Sequence, residues 1–407
     1  MIRNSTKLFP IVFSQGMVSL AEGLLIPFVS LYLVRSLGLS PVLAGTILGV
    51  SGIGLILGPI VGGALADRCS PRLVIVSGLA WAGSANVVAA VTHDLWLFAF
   101  AYGLSLLASS SISPALYQTA LKSAGHPLRS TATLIAVQNG AVAAGALVAW
   151  PLLGSHIGNI FVLAATVNGM GAILALILVG PSTQPAASPS FQWVDWIYLP
   201  SLKERQFWSI AAAGFLTGVL YSQMWSTVPT AWLEGQTATG FFALLWFLNG
   251  CAIFIAEQRV SRLLERYNPY VWMTAACLVY AFAVGLLNIK MSLITLVTSF
   301  VMLTLAELIY EPFPPTLYAK AAPLHFKARY QGAGNLAAAT GLVIGPIVGE
   351  LLLQWGGDRT VWSAMTIIGV CAALVVHQGR PPVPKDPASS AAPPHFKQER
   401  THHDELA

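Results

Sequence analysis

Gly63-Ala64-Leu65-Ala66-Asp67-Arg68-Cys69-Ser70-Pro71-Arg72 is a short polar hinge between two long apolar runs. A run that ends in Asp67-Arg68 and resumes after Ser70-Pro71 reads as a helix that crosses hydrocarbon, surfaces at a charged membrane face and turns back. Arg68 and Arg72 assign that face, because short loops rich in Lys and Arg stay on the cytoplasmic side. The hinge therefore sets the phase of every span on either side of it.

Composition carries the same reading along the whole chain. Of 407 residues 56% are hydrophobic and only 9% charged, against roughly 25% charged in a soluble domain. Such a surface could not be hydrated, so the spacing of apolar runs predicts a polytopic all-α membrane protein. Twelve spans are expected, at roughly 9–34, 41–62, 72–92, 94–118, 131–153, 160–180, 206–229, 238–258, 269–289, 291–319, 331–353 and 360–378. Each provides the roughly 20 residues a helix needs to cross. The first run carries Glu22 and Pro27 and ends without a small-residue cleavage box, so it reads as a span and not as a signal peptide.

The basic residues test this parsing independently. Arg68, Arg72, Lys122, Arg129, Lys203, Arg205, Arg259, Arg262, Arg266, Lys320, Lys327 and Arg329 fall on one side, and only Arg35, Lys290 and Arg359 on the other. That bias places both termini in the cytoplasm. Residues 1–180 are expected to form one six-helix bundle and 206–378 a second. Between them, 181–205 is a Pro- and Ser-rich cytoplasmic linker with an aromatic interfacial segment, and 379–407 is a disordered cytoplasmic tail. Cys69, Cys251, Cys277 and Cys371 are far apart and lack metal-ligand spacing. The basic balance suits anionic headgroups and not nucleic acid. No P-loop or HExxH is present, so neither direct ATP drive nor membrane proteolysis is expected. A monomer without metal or cofactor is expected.

The spans lack Lys and Arg at mid-depth but contain carboxylates: Glu22 in span 1, Glu307 and Glu311 in span 10, and Glu350 in the outer part of span 11. A carboxylate near the bilayer centre costs roughly 2.5–3.5 kcal/mol, so it normally faces a cavity or a partner. Glu307 and Glu311 share one helix face about 6 Å apart along the axis, a spacing that disfavours double ionisation. Glu311 is the candidate for gating or proton coupling, with Glu307 beside the cavity; the alternative has Glu311 hydrogen-bonding near the carbonyls freed by Pro312, Pro314 and Pro315. A deprotonated Glu22 would attract a cationic or amine-bearing molecule, and protonation would weaken that attraction. Glu350 suits a gate or a coupling role.

Uncharged polar and aromatic residues are candidates for the cavity wall: Gln15, Tyr102, Gln138, Asn139, Tyr221, Gln223, Trp225, Trp246, Asn249, Tyr310 and Asn335. Aromatic walls with a few hydrogen-bonding groups fit an amphipathic organic molecule. The missing arginine clamp argues against sugar phosphates, nucleotides and dicarboxylates. It does not separate a lipophilic cation from a neutral sugar, a peptide or a metallophore.

The hinge resembles the signature Gly-x-x-x-Asp-Arg-x-Gly-Arg-Lys/Arg between the second and third helices of the major facilitator superfamily. Gly63, Asp67, Arg68 and Arg72 match it, while Ser70 and Pro71 depart from it. A weaker echo follows span 8 at Glu257-Gln258-Arg259-Val260-Ser261-Arg262. The resemblance covers 9–378 and implies two pseudo-symmetric six-helix bundles, with Gly63, Asp67, Arg68 and Arg72 as a breakable latch between helices 2 and 11. Within the superfamily the chain resembles the twelve-helix bacterial drug:proton antiporter group, and Glu311-Pro312 and Arg329-Tyr330-Gln331-Gly332 are also similar to a branch of multidrug efflux proteins. Two features depart from that group: span 4 lacks its arginine, and its Gly-x-x-x-Gly-Pro-x-x-Gly pattern stands in span 11, at Gly341–Gly349, and not in span 5. The resemblance implies proton-coupled export of amphipathic, cationic or amine-bearing small molecules by alternating access in a bacterial inner membrane, with Glu22 lining the central cavity. Alternatives of the same fold are a dedicated exporter or importer of a metabolite or siderophore-like molecule, and a non-transporting membrane sensor or scaffold.

Overall fold

The computed structural model describes residues 2–29, 32–39, 41–123, 127–152, 157–180, 204–232, 239–289, 292–323 and 326–381. Apart from 204–205 and 379–381, the expected linker and tail lie outside the described residues. In chain order the helices are α1 Ile2–Leu25, α2 Pro41–Arg68, α3 Pro71–Val91, α4 Leu95–Ser123, α5 Pro127–Ala149, α6 Asn159–Leu178, α7 Arg205–Ser222, α8 Thr227–Trp232, α9 Thr239–Leu264, α10 Pro269–Ile289, α11 Leu293–Tyr310, α12 Phe313–Ala321 and α13 Lys327–Gln378.

The hinge shows why the chain turns where it does. Ser70 caps α3 by accepting a hydrogen bond from the Leu73 N–H, and Pro71 occupies the first turn, where a missing N–H costs nothing. The two departures from the signature are thus themselves a helix start. Prolines interrupt two expected spans. α1 stops at Leu25, two residues before Pro27, and a short π-helical turn at Tyr32–Ser36 follows. Span 10 divides at Glu311-Pro312 into α11 and α12. Spans 11 and 12 lie within Lys327–Gln378 as two helices that meet at a kink at Gly357, whose φ of 68° favours glycine.

Among the described residues nine helices are long and apolar enough to cross a membrane, where the sequence predicts twelve spans. The difference has identifiable causes. α13 covers two expected spans. α7 is 18 residues long, opens on Arg205-Gln206 and ends before the turn into the short α8.

The outer surface is hydrocarbon-like: Ile177 and Ile294 are 70% and 78% exposed, which only lipid would satisfy. Inside, α1 to α6 pack chiefly on one another, as do α7 to α13. Two seams join these sets, α2 against α13 and α5 against α9. Small residues permit the first seam: a Cβ on Gly63 would lie 2.8 Å from the Ala328 carbonyl oxygen, and one on Gly332 would overlap Pro59.

Candidate functional site

The candidate carboxylates separate into two places. In the C-terminal set, α11 presents Glu307 to α7 and α9. The Tyr221 hydroxyl donates to its Oε1 at 3.3 Å, and Asn249 Nδ2 donates to its Oε2 at 3.1 Å and to Thr304 Oγ1 at 2.9 Å. Glu307 is only 5% exposed, so these donors replace water at the carboxylate. Tyr221 belongs to an aromatic group: its ring lies 5.7 Å from Trp225 and 5.6 Å from Trp246, which are 6.1 Å from each other, and Phe300 backs Trp246 at 5.8 Å. Trp225 is 42% exposed and opens the group to the outside of the packed helices. Five sequence candidates, Tyr221, Trp225, Trp246, Asn249 and Glu307, thus meet at one site.

Glu311 follows one turn later. Its backbone N–H bonds the Glu307 carbonyl, and its side chain is exposed. A third acid joins them that the sequence reading passed over: Glu257 of α9, fully buried, accepts from Ser261 Oγ at 3.1 Å and interacts with both Glu307 and Glu311, while its Oε2 has no hydrogen-bond partner. The signal was a carboxylate in the last turns of span 8, read instead as part of the motif echo.

Glu22 is elsewhere. It lines a cleft between α1, α3, α4 and α6 together with Val18, Asn86, Tyr102, Ser105, Ser109 and Asn168. The cleft leaves room for about one water molecule, roughly 10 Å³, far below the roughly 300–1,000 Å³ of pockets that take organic ligands. Among the described residues Glu22 has no ion pair and no side-chain hydrogen bond. Asn86 and Asn168, 0% and 2% exposed, leave Asn86 Nδ2, Asn86 Oδ1 and Asn168 Oδ1 without partners, a cost of about 1–3 kcal/mol for each group if nothing fills the cleft. Both asparagines are polar residues in otherwise apolar spans, and that contrast could have marked them.

The remaining candidates are more scattered. Gln223 is fully buried and spans from α7 to the Gly345 carbonyl of α13, also accepting from Thr227. Tyr310 packs in the core, 6.5 Å from the Tyr280 ring. Gln15 donates to Ser19 one turn on in α1, and Asn139 donates to the Ile135 carbonyl of its own helix. Gln138, Asn335 and Glu350 are half-buried.

The hinge forms a junction between the sets. Asp67, its side chain only 2% exposed, accepts from the backbone N–H groups of Ala328 at 3.1 Å and Arg329 at 3.0 Å, with the Arg329 guanidinium 3.7 Å away. It accepts from Gln118 Nε2 at 3.1 Å as well. An acid at the first turn of α13 meets free N–H groups and the positive end of the helix dipole. Arg68 is half-buried beside it, whereas Arg72 donates to the Leu176 carbonyl and ties α3 to α6 within one set. The second seam reinforces the same end: Arg129 Nε and Nη2 both lie 2.8 Å from Glu265 Oε2, and Gln258 Nε2 donates to Thr133 at 2.7 Å.

This fold, with two sets of helices latched at one end around buried acids, is that of a membrane transporter. The chain belongs to the Major Facilitator Superfamily, whose family model matches residues 11–341 and 260–403. It is similar to the MFS-type transporter YttB of Bacillus subtilis (strain 168), 23% identical over 84% of this chain and 87% of the relative. The multidrug resistance protein MdtH of Escherichia coli (strain SE11) is 24% identical, over 92% of this chain and 94% of its own length. In fold it resembles the human organic anion transporter MFSD10 (TETRAN), with a TM-score of 0.75 at 14% identity, covering 92% of this chain and 99% of that one. The chain is a small-molecule transporter of this superfamily, and the fold is that of a secondary active carrier rather than an enzyme.

Proposed function

We propose that the protein exports amphipathic, cationic or amine-bearing small molecules in exchange for protons, as a twelve-helix drug:proton antiporter built from two six-helix halves. The observation that carries this reading is the Glu307 carboxylate, held by Tyr221 and Asn249 beside the faces of Tyr221, Trp225 and Trp246. A carboxylate next to aromatic faces fits an organic cation: the charge pairs with the acid and the apolar body lies on the rings. The relatives named multidrug resistance proteins support the substrate class.

In this reading the two acid sites have different work. Glu307 receives the cation. Glu22, in a cleft too small for the same molecule, carries the proton. Glu311, one turn on, relates occupancy at Glu307 to the latch. The latched end is the cytoplasmic face, because it carries the basic loops, and the Asp67 junction then holds the carrier open to the outside. Opening that junction and closing the opposite end gives alternating access by rocking of two repeats around a fixed site. Proton entry supplies the energy, since the membrane field opposes cation export by about 2.3 kcal/mol per charge per 100 mV.

The test is uphill movement of a fluorescent lipophilic cation in proteoliposomes under an imposed proton gradient. Accumulation that follows the gradient and collapses with a protonophore is expected. Flux that ignores the gradient would remove the antiport mechanism, and saturable flux of neutral or anionic molecules without the cation would overturn the substrate class.

A further inference from the structure

We infer that Asn86 and Asn168 hold ordered water against the Glu22 carboxyl, so that the cleft inside the N-terminal helix set is a hydrated proton chamber separate from the substrate site. The inference rests on the proposed role of Glu22, but its geometry stands apart from any transport measurement.

Four helices converge on the cleft. α1 supplies Glu22, Val18, Ala21, Leu25 and Ile26; α3 supplies Asn86; α4 supplies Tyr102, Ser105, Leu106 and Ser109; α6 supplies Asn168. Tyr102 is the titratable group facing Glu22, and the remaining lining is uncharged. On its other side α1 meets α5 by close backbone packing, Gly23 against Val142 and Gly145 against Leu20. No charged neighbour in this lining compensates the carboxylate.

The unpartnered atoms define what belongs there. Asn86 presents a donor and an acceptor and Asn168 an acceptor, and the half-buried Glu22 carboxyl lines the same cleft. The hydroxyl of Ser109 already donates to the Ser105 carbonyl at 3.0 Å, so toward the cleft it has only lone pairs to offer. A ligand that both donates and accepts satisfies this set, and a purely donating ammonium group would leave Asn86 Nδ2 without an acceptor unless that amide turned to the carboxylate. Water does both, and buried waters occur where polar groups would otherwise go unpaired. Water held this way gives the carboxyl a route for its proton and makes Asn86 and Asn168 positioning residues.

Infrared difference spectroscopy of the purified protein in lipid nanodiscs, stepped in pH, tests this directly. The C=O band of protonated Glu22 is identified by its loss in Glu22→Gln. In the unmodified protein that band should exchange promptly with D2O and lie at the lower frequency of a hydrogen-bonded carboxyl. In Asn86→Leu and Asn168→Leu it should rise in frequency, with exchange slowed by roughly tenfold or more. Asn86→Ser, which keeps a polar group and adds room, should retain the unmodified band and serves if the leucine variants fail to fold. A Glu22 band that resists D2O in the unmodified protein, or that stays unchanged in the folded leucine variants, would overturn the inference. If the band behaves as expected while Glu22→Gln still couples transport to protons, the chamber stands and the coupling role falls.

Discussion

Glu307, buried, and Glu22, half-buried, are acids without a basic partner among the described residues, yet their surroundings differ in kind. Each Glu307 oxygen accepts one neutral donor, and the donor Tyr221 belongs to a group of three aromatic rings, one of them, Trp225, 42% exposed. Glu22 shares a cleft with Asn86 and Asn168, three of whose four amide polar atoms have no partner, in a space smaller than an organic ligand needs. In the proposed reading, a carboxylate steadied by two neutral donors beside an aromatic group takes a bulky cation. One surrounded by unfilled polar positions is prepared for water and protons. The difference shows that a count of intramembrane acids says little, and that the groups around each acid decide its work.

The largest effect expected from breaking this contrast is at Glu307. Glu307→Gln keeps an acceptor for Tyr221 but removes the charge, and cation affinity should fall by about two to three orders of magnitude, the range for a buried charge that loses its partner. Equilibrium binding of a tritiated lipophilic cation in detergent measures this, and an affinity within a few-fold of the unmodified protein would contradict the assignment. Trp246→Ala should weaken the same binding by about 3- to 30-fold, in line with one desolvated cation–π contact, and should affect an uncharged analogue of equal size less. Equal losses for both molecules would mean that the ring contributes only apolar area.

Asp67→Asn sharpens the contrast from a distance, because it touches neither acid site. It removes the charge that meets the N–H groups of α13, worth about 1–2 kcal/mol, and should shift the latched population by roughly tenfold. Distances between spin labels on the latched ends of α2 and α13 would report the shift. An unchanged distribution would show that Asp67 is not what holds that end shut. The smallest effect is expected at Glu350, half-buried and outside both sites: Glu350→Gln should change cation affinity and gradient response less than twofold, as for substitutions away from such features.

The fold was largely readable from the hinge outward because lipid imposes one rule on every span, and basic loops fix the phase of all of them together. The contact of Asp67 with the helix at Arg329 was implied by the resemblance of the hinge to the superfamily signature. What could not be read were the properties set by packing across helices. Composition does not reveal that spans 11 and 12 meet directly at a kink at Gly357, or that α7 stops short of Trp225. Asn86 and Asn168 stand 82 residues apart in the sequence and acquire meaning only when α3 and α6 bring them to one cleft. Glu257 was hidden for the opposite reason, being close in sequence to loop arginines while its side chain turns inward toward Glu307 and Glu311. Arg72 matched the signature but bonds within its own helix set, because the Leu176 carbonyl lies nearer than anything across the seam.

The division of work between the two acids is tested most directly by comparing Glu22→Gln and Glu307→Gln in one proteoliposome assay, with binding of the lipophilic cation and its response to an imposed proton gradient read on the same preparations. Glu22→Gln should bind the cation with near-unmodified affinity and move it only down its own gradient, while Glu307→Gln should lose the binding itself. Loss of binding in Glu22→Gln, or gradient-driven accumulation that survives in it, would contradict the account.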